Sequence, residues 1–158
     1  MQLARKILVI SAIIAAILTI YMANSYLNTY TQIMGTRIES TIKQAEFQNG
    51  ELIVKIELTI TPKGTQFKAH KITYTLYLNN KYLLEDKITE MITLTPGKEV
   101  KIERKVTIPK ERMFTIQEAI QINKWKWKIT GTLFTKTFFG ETLIRFKSSI
   151  ELTPKGQL

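Results

Sequence analysis

Glu51-Leu52-Ile53-Val54-Lys55-Ile56-Glu57-Leu58-Thr59-Ile60-Thr61 is the stretch that decides the fold. Leu52, Val54, Ile56, Leu58 and Ile60 fall on one side, and Ile53, Lys55, Glu57 and Thr59 on the other. A period of two with one apolar face is the pattern of a strand half-buried in a sheet. Further along, Ile72, Tyr74, Leu76 and Leu78 repeat the device and run into Asn79-Asn80, a pair that tolerates the positive backbone angles of a tight turn. Tyr82 to Ile88 should pair back. Val100, Ile102, Val106 and Ile108 alternate next, with Arg104 the one charge on that face, until Pro109 stops the run.

A further strand starts at Trp125, and Ile38 to Phe47 with Leu143 to Leu152 complete about seven, as the sequence is read. Gln48-Asn49-Gly50, Thr61-Pro62-Lys63-Gly64, Thr95-Pro96-Gly97 and Phe139-Gly140 supply the turns between them. Short strands at this spacing predict a mainly β fold, an antiparallel β-sandwich over residues 37–153 with a tail at 154–158. One helix interrupts the pattern. Thr115 and Glu118 have the spacing of a capping box, which predicts a short helix from Ile116 to about Asn123.

Upstream the language changes. Residues 7–23 read ILVISAIIAAILTIYMA, and no charge appears between Lys6 and Arg37. Taken to Leu27, the run makes a helix of about 31 Å, close to the ~30 Å hydrocarbon thickness of a bilayer. Residues 7–27 are therefore expected to be a single transmembrane helix, with 28–36 as a stalk. Arg5 and Lys6 lie in front of the run, so the charge bias holds residues 1–6 in the cytoplasm and the rest outside the plasma membrane. Tyr21 stands where a signal peptidase needs a small side chain, so retention of the helix is expected.

Composition limits the chemistry. The chain has 158 residues, one His, no Cys and a net charge of +10. Beyond residue 36 there are 21 basic and 13 acidic residues, an excess of 8. Without cysteine there is no disulfide framework, thiol nucleophile or thiolate metal site. His70, Asp86 and Ser148 or Ser149 formally compose a hydrolase triad, but no nucleophile-elbow sequence surrounds either serine. His70 reads instead as a solvated edge residue. Glu85-Asp86 and Glu90 read as salt-paired carboxylates rather than cation ligands. No catalytic residue, metal site or cofactor is expected, and the chain is expected not to be an enzyme.

Lys124-Trp125-Lys126-Trp127-Lys128 interleaves bases with aromatics. Period two puts both tryptophans on one face, for the core, and Lys124, Lys126 and Lys128 on the other, in solvent. That lysine row is a candidate contact for anionic lipid headgroups or acidic surface glycans, with no role in nucleic-acid binding.

From Leu58 onward the order of features resembles the WHy domain, the water-stress and hypersensitive-response module of atypical late-embryogenesis-abundant proteins, here in a membrane-anchored, archaeal-type form. The resemblance lies in Thr61-Pro62 and its Lys-Gly turn, the strand Ile72 to Asn80, and Trp127-Lys128-Ile129-Thr130-Gly131-Thr132 leading through Phe139-Gly140 into Ile144-Arg145-Phe146. The family usually has Asn-Pro where this chain has Thr61-Pro62. The resemblance implies a fibronectin type III-like sandwich without catalytic machinery, in a family linked to stress tolerance. The function expected is thus that of a non-catalytic structural, stress-protective or partner-binding module, its partners the bilayer and a membrane or cell-surface protein. Two rivals stand beside it. One is a pilin-like filament subunit, disfavoured by Ile7 directly after the basic pair; the other is an accessory subunit whose Ser11, Ala12, Ala15 and Ala16 would let helices approach closely.

Overall fold

The computed structural model describes residues 2–156. Helix α1 spans Gln2–Met34. Its apolar side chains from Ile7 to Met22 are all exposed, and none of the described residues buries them. Its polar interruptions are satisfied internally: Ser11, Thr19 and Thr31 hydroxyls donate to the carbonyls of Leu8, Ala15 and Leu27 at 2.9, 2.8 and 2.7 Å. A long helix with an all-round apolar surface is long and apolar enough to cross a membrane.

The segment expected as a stalk is helical as far as Met34, and its last turns lie against the domain. Ile33 is fully buried, with Ser25, Thr29 and Gln32 half-buried along the same side. The amides of Gly35 and Thr36 then bond the Thr31 and Ile33 carbonyls at 3.1 and 3.0 Å and end the helix.

Eight strands follow: β1 (Arg37–Gln48), β2 (Glu51–Thr61), β3 (Phe67–Leu78), β4 (Lys81–Ile88), β5 (Ile92–Leu94), β6 (Val100–Thr107), β7 (Lys126–Thr137) and β8 (Gly140–Glu151). Sheet A has the order β1-β2-β6 and sheet B the order β4-β3-β7-β8, with β5 extending the β4 side by pairing the start of β3. All strand pairs are antiparallel. This is the expected two-sheet sandwich, three strands on four, with β5 as the strand that sequence reading misses. Three residues are too few to show an alternation.

The inward set is the predicted one. Leu52, Val54, Ile56, Leu58 and Ile60 of β2 face Ile72, Tyr74, Leu76, Leu78, Trp127, Ile129 and Leu133 of sheet B, all buried. Burying each such side chain contributes about 1.5–3 kcal/mol. Trp125 and Trp127 stack with centroids 6.3 Å apart, and the Trp127 Nε1–H donates to the Leu152 carbonyl at 2.7 Å. Polar pairs join the two sheets at both open edges. Ser40 of β1 and Ser148 of β8 share a hydrogen bond of 2.6 Å. At the other edge Arg104 of β6 meets Glu90, just after β4, at 2.9 Å, and within sheet B the Tyr74 hydroxyl donates to Asp86 at 2.7 Å.

Helix α2 (Met113–Gln121) links the sheets after a 3-10 turn at Lys110–Arg112. The capping box is not formed. The cap residue is Arg112, and no side chain caps it. Pro109 starts the turn by accepting the Arg112 amide at 2.9 Å, so the helix begins upstream of Thr115. Glu118 is left free to pair with Lys81 on β4. At the far end from α1, Asn79 and Asn80 take φ of 51° and 66° in the β3–β4 turn, as the sequence demanded. The Asn79 side chain then clamps the entry to β7, donating to the Lys124 carbonyl at 2.7 Å and accepting the Lys126 amide at 3.1 Å.

Candidate anion-binding face

Outward-pointing positions of sheet B form rows across four strands. Lys87, Thr73, Thr132 and Arg145 stand in register from β4 to β8, and Glu85, Thr75, Thr130 and Lys147 make the next row. Beyond these, Tyr82, Tyr77, Lys128 and Ser149 form a row toward the far end, and Lys71, Phe134 and Leu143 one toward α1. Four threonines thus occupy the middle of a sheet that carries long side chains on all sides. The result is a concavity of about 450 Å³, with Thr73, Thr75, Thr130 and Thr132 on its floor and Arg145 and Lys147 on its rim. From the Phe134 row to the Tyr77 row is three two-residue steps, about 20 Å at ~3.3 Å per residue.

Gly131, between the two threonine rows on β7, points toward the core. A Cβ there would run into the Phe146 ring and the Thr73 carbonyl oxygen, so β7 can lie this close to its neighbours only with glycine.

The two outer faces differ in how they treat charge. On sheet A, Lys43 pairs with Glu57 at 2.8 Å, Lys55 with Glu103 at 2.7 Å and Lys101 with Glu99 at 3.1 Å, leaving Lys105 as the exception. The bond to Glu103 raises the Lys55 pKa, and the same bond lowers that of Glu103; Glu99 raises that of Lys101 in the same way. On sheet B, Lys71, Lys87, Lys126, Lys128, Arg145 and Lys147 have no carboxylate within ion-pair distance among the described residues. Glu85 and Glu151 also stand on this face, so the balance is cationic without being uniform. Two of the cations lie over aromatic rings: Lys71 Nζ is 4.7 Å from the Phe134 centroid and Lys128 Nζ 5.2 Å from that of Tyr77. Such stacking holds the ammonium in place while leaving its hydrogens for an anion.

Of the lysines read as candidates, Lys126 and Lys128 stand on this face, Lys128 half-covered by its contact with Tyr77. Lys124 lies outside it, in the loop before β7. All three are at the end of the sandwich remote from α1. Arg5 and Lys6 occupy the opening turns of α1. Sequence reading missed Arg145, Lys147 and the threonine floor. The signal was Thr-x-Thr at residues 73–75 and 130–132, which gains meaning only once β3 and β7 are known to be neighbours.

The formal triad is dispersed. His70 is not a solvated edge residue: it sits half-buried in the bulge of the interior strand β3, with Nε2 2.9 Å from Glu141 and its ring edge-on to Phe134. Asp86 is taken by Tyr74, Ser148 by Ser40, and the Ser149 hydroxyl donates to the Trp127 carbonyl at 3.3 Å. Glu90 is salt-paired as read, whereas Asp86 accepts a phenol. Among the described residues, no three of His, Asp and Glu gather where they could hold a metal ion.

No protein-family model matches the chain, and no curated protein matches it in sequence. Its fold does have neighbours among solved structures. A protein of Arabidopsis thaliana superposes with TM-score 0.61 at 14% identity, covering 75% of this chain and 80% of its own. One from Archaeoglobus fulgidus gives 0.52 at 10% identity, covering 77% and 98%. A looser superposition, 0.41 at 14% identity over 75% and 72%, is to a solution structure described as a putative late embryogenesis abundant protein. At these identities the likeness is one of fold. The chain carries an N-terminal apolar helix ahead of a β-sandwich, and the sandwich is the fold that the plant and archaeal proteins resemble.

Proposed function

We propose that this chain is a single-pass membrane protein that uses α1 as its anchor and displays a non-catalytic sandwich outside the plasma membrane, where the outer face of sheet B receives an acidic surface glycan. The observation that carries the reading is the difference between the two faces. Carboxylates neutralise most of sheet A, whereas sheet B keeps Lys71, Lys87, Lys126, Lys128, Arg145 and Lys147 without an ion-pair partner among the described residues, on the face whose floor is threonine hydroxyls. A face about 20 Å long between its aromatic rows, with a concavity floored by hydroxyls and rimmed by Arg145 and Lys147 at its middle, suits an extended uronate or sulfated chain. A glycan is favoured over lipid for Lys126 and Lys128 because both lie at the end remote from the anchor. The WHy resemblance adds a stress-protective setting, in which a tethered sandwich holds the surface polymer to the membrane.

Binding needs no activated nucleophile, and the dispersed His70, Asp86 and serines supply none. Protease added to intact cells stripped of their outer coat tests the display. Digestion of the sandwich without lysis is expected, and full protection until lysis would refute it.

A further inference from the structure

The most exposed large apolar side chain in the described domain is Phe138, at 88%. It sits at the tip of the β7–β8 hairpin, at the end of the sandwich next to α1. Phe138 and Phe139 meet edge to face at 5.3 Å, and the Phe139 ring in turn meets Tyr26 of α1 at 5.4 Å. Tyr26 is one residue short of Leu27, where the apolar run ends, and it stacks on Tyr30 at 6.1 Å. Tyrosines at the end of an apolar helix mark the level of the headgroups. The hairpin tip is pinned to the helix at that level.

Two further features share the place. Met91, 63% exposed, lines a groove of about 320 Å³ together with Phe138, Phe67 and the helix residues Thr29 and Ile33. Lys68 and Lys136 line the same groove and stand directly opposite each other in the β3–β7 register, both exposed. Like charges opposite one another across a strand pair are unfavourable unless an anion lies between them. The carboxylate opposite Lys136 on β8, Glu141, is engaged by His70.

We propose that Phe138, Phe139 and Met91 seat in the outer interfacial layer of the same bilayer that takes α1, with Lys68 and Lys136 on the lipid phosphates. The inference rests on reading α1 as a membrane span. It gives the sandwich a second attachment beside the helix, so that the domain stands on the bilayer at a fixed tilt with its far end held clear. Lipid is the occupant because exposed aromatics, a thioether and two lysines at headgroup level reproduce the apolar-below, cationic-above layering of a leaflet.

The chain has no cysteine, so single cysteines can carry a nitroxide label in the full-length protein. Phe138→Cys, Met91→Cys, Ile14→Cys and Phe114→Cys would be labelled and reconstituted in phosphatidylcholine–phosphatidylglycerol vesicles. Collision with oxygen, enriched in lipid, is then compared with collision with a water-soluble nickel chelate. Labels at 138 and 91 should favour oxygen, 14 should favour it more strongly, and 114, at the far end, should favour nickel. Nickel-rich values at 138 and 91 with an oxygen-rich value at 14 would overturn the second attachment and leave the span intact. A nickel-rich value at 14 would overturn the span and this inference with it. Low collision with both reagents at 138 would place the tip against protein, which also contradicts it.

Discussion

The Tyr74 hydroxyl donates a 2.7 Å hydrogen bond to Asp86 across the β3–β4 pair, and burial of the phenol, reinforced by that carboxylate, pushes its pKa well above the ordinary value. The consequence is a loss of stability in alkali. Above about pH 10 the unfolded chain releases this proton while the folded chain keeps it, so stability falls as pH rises through that range. Tyr74→Phe should be less stable than the parent at neutral pH, through loss of the bond to Asp86, but should show a shallower alkaline decline. Denaturant titrations at neutral pH and above pH 10 check both parts.

Trp127 is the largest fully buried side chain, and its indole N–H satisfies the Leu152 carbonyl. Trp127→Ala should destabilise the fold by about 3–5 kcal/mol. Replacing Lys124, Lys126 and Lys128 together by glutamine should cost little, because none of them is in an ion pair among the described residues. Equilibrium unfolding followed by tryptophan emission of the lysine variant against its parent, and by circular dichroism for Trp127→Ala, makes the comparison.

Gly131→Ala places a methyl group into the Phe146 ring and the Thr73 carbonyl oxygen. Backbone cannot give way as a side-chain tip can, so a loss of about 1–3 kcal/mol is expected. A thermal melt unchanged from the parent would show that β3 and β7 are not so closely apposed.

Gly64 has φ of +86° and faces the Gln32 side chain of α1, whereas Gly97 has φ of +74° and open space around it. Alanine at either position incurs the backbone strain of a left-handed conformation, about 1 kcal/mol. Gly64→Ala should in addition loosen the helix end, exposing residues 31–36 to limited proteolysis, while Gly97→Ala should not. Equal cleavage in the two variants would remove the contact between Gly64 and the helix from the account.

Most of the sandwich was legible in the sequence because its strands bury one face each. The alternation of Leu52 to Ile60, the Asn79-Asn80 turn and the burial of Trp125 and Trp127 all follow from local pattern. The features that escaped depend on residues distant in the chain. Thr115 and Glu118 have the right spacing for a cap, but Pro109 starts the helix earlier and Lys81 claims the glutamate. His70 reads in sequence as the start of an edge strand, yet β3 begins at Phe67 and β7 pairs along its other side and encloses His70. The threonine floor is invisible along the chain, since outward threonines read as ordinary solvated positions until register sets Thr73 beside Thr132 and Thr75 beside Thr130. Lys126 and Lys128 were legible as a charged row, whereas Arg145 and Lys147 are brought to the same face only by the β7–β8 pairing, which sets them beside Thr132 and Thr130.

The central claim is that the sheet B face, and not net charge alone, receives an acidic polymer. Any chain with a charge of +10 will attract polyanions at low salt, so the decisive measurement sets one face against the other. Full-length protein in lipid nanodiscs would be titrated with polygalacturonate, with neutral dextran as the control, at physiological ionic strength. Arg145→Glu/Lys147→Glu on sheet B would be compared with Lys55→Glu/Lys105→Glu on sheet A, which changes the net charge equally. The account predicts that the sheet B pair weakens binding by about tenfold or more, about 1.4 kcal/mol, while the sheet A pair leaves it within about threefold. Equal losses from the two pairs, or no binding by the parent, would contradict it.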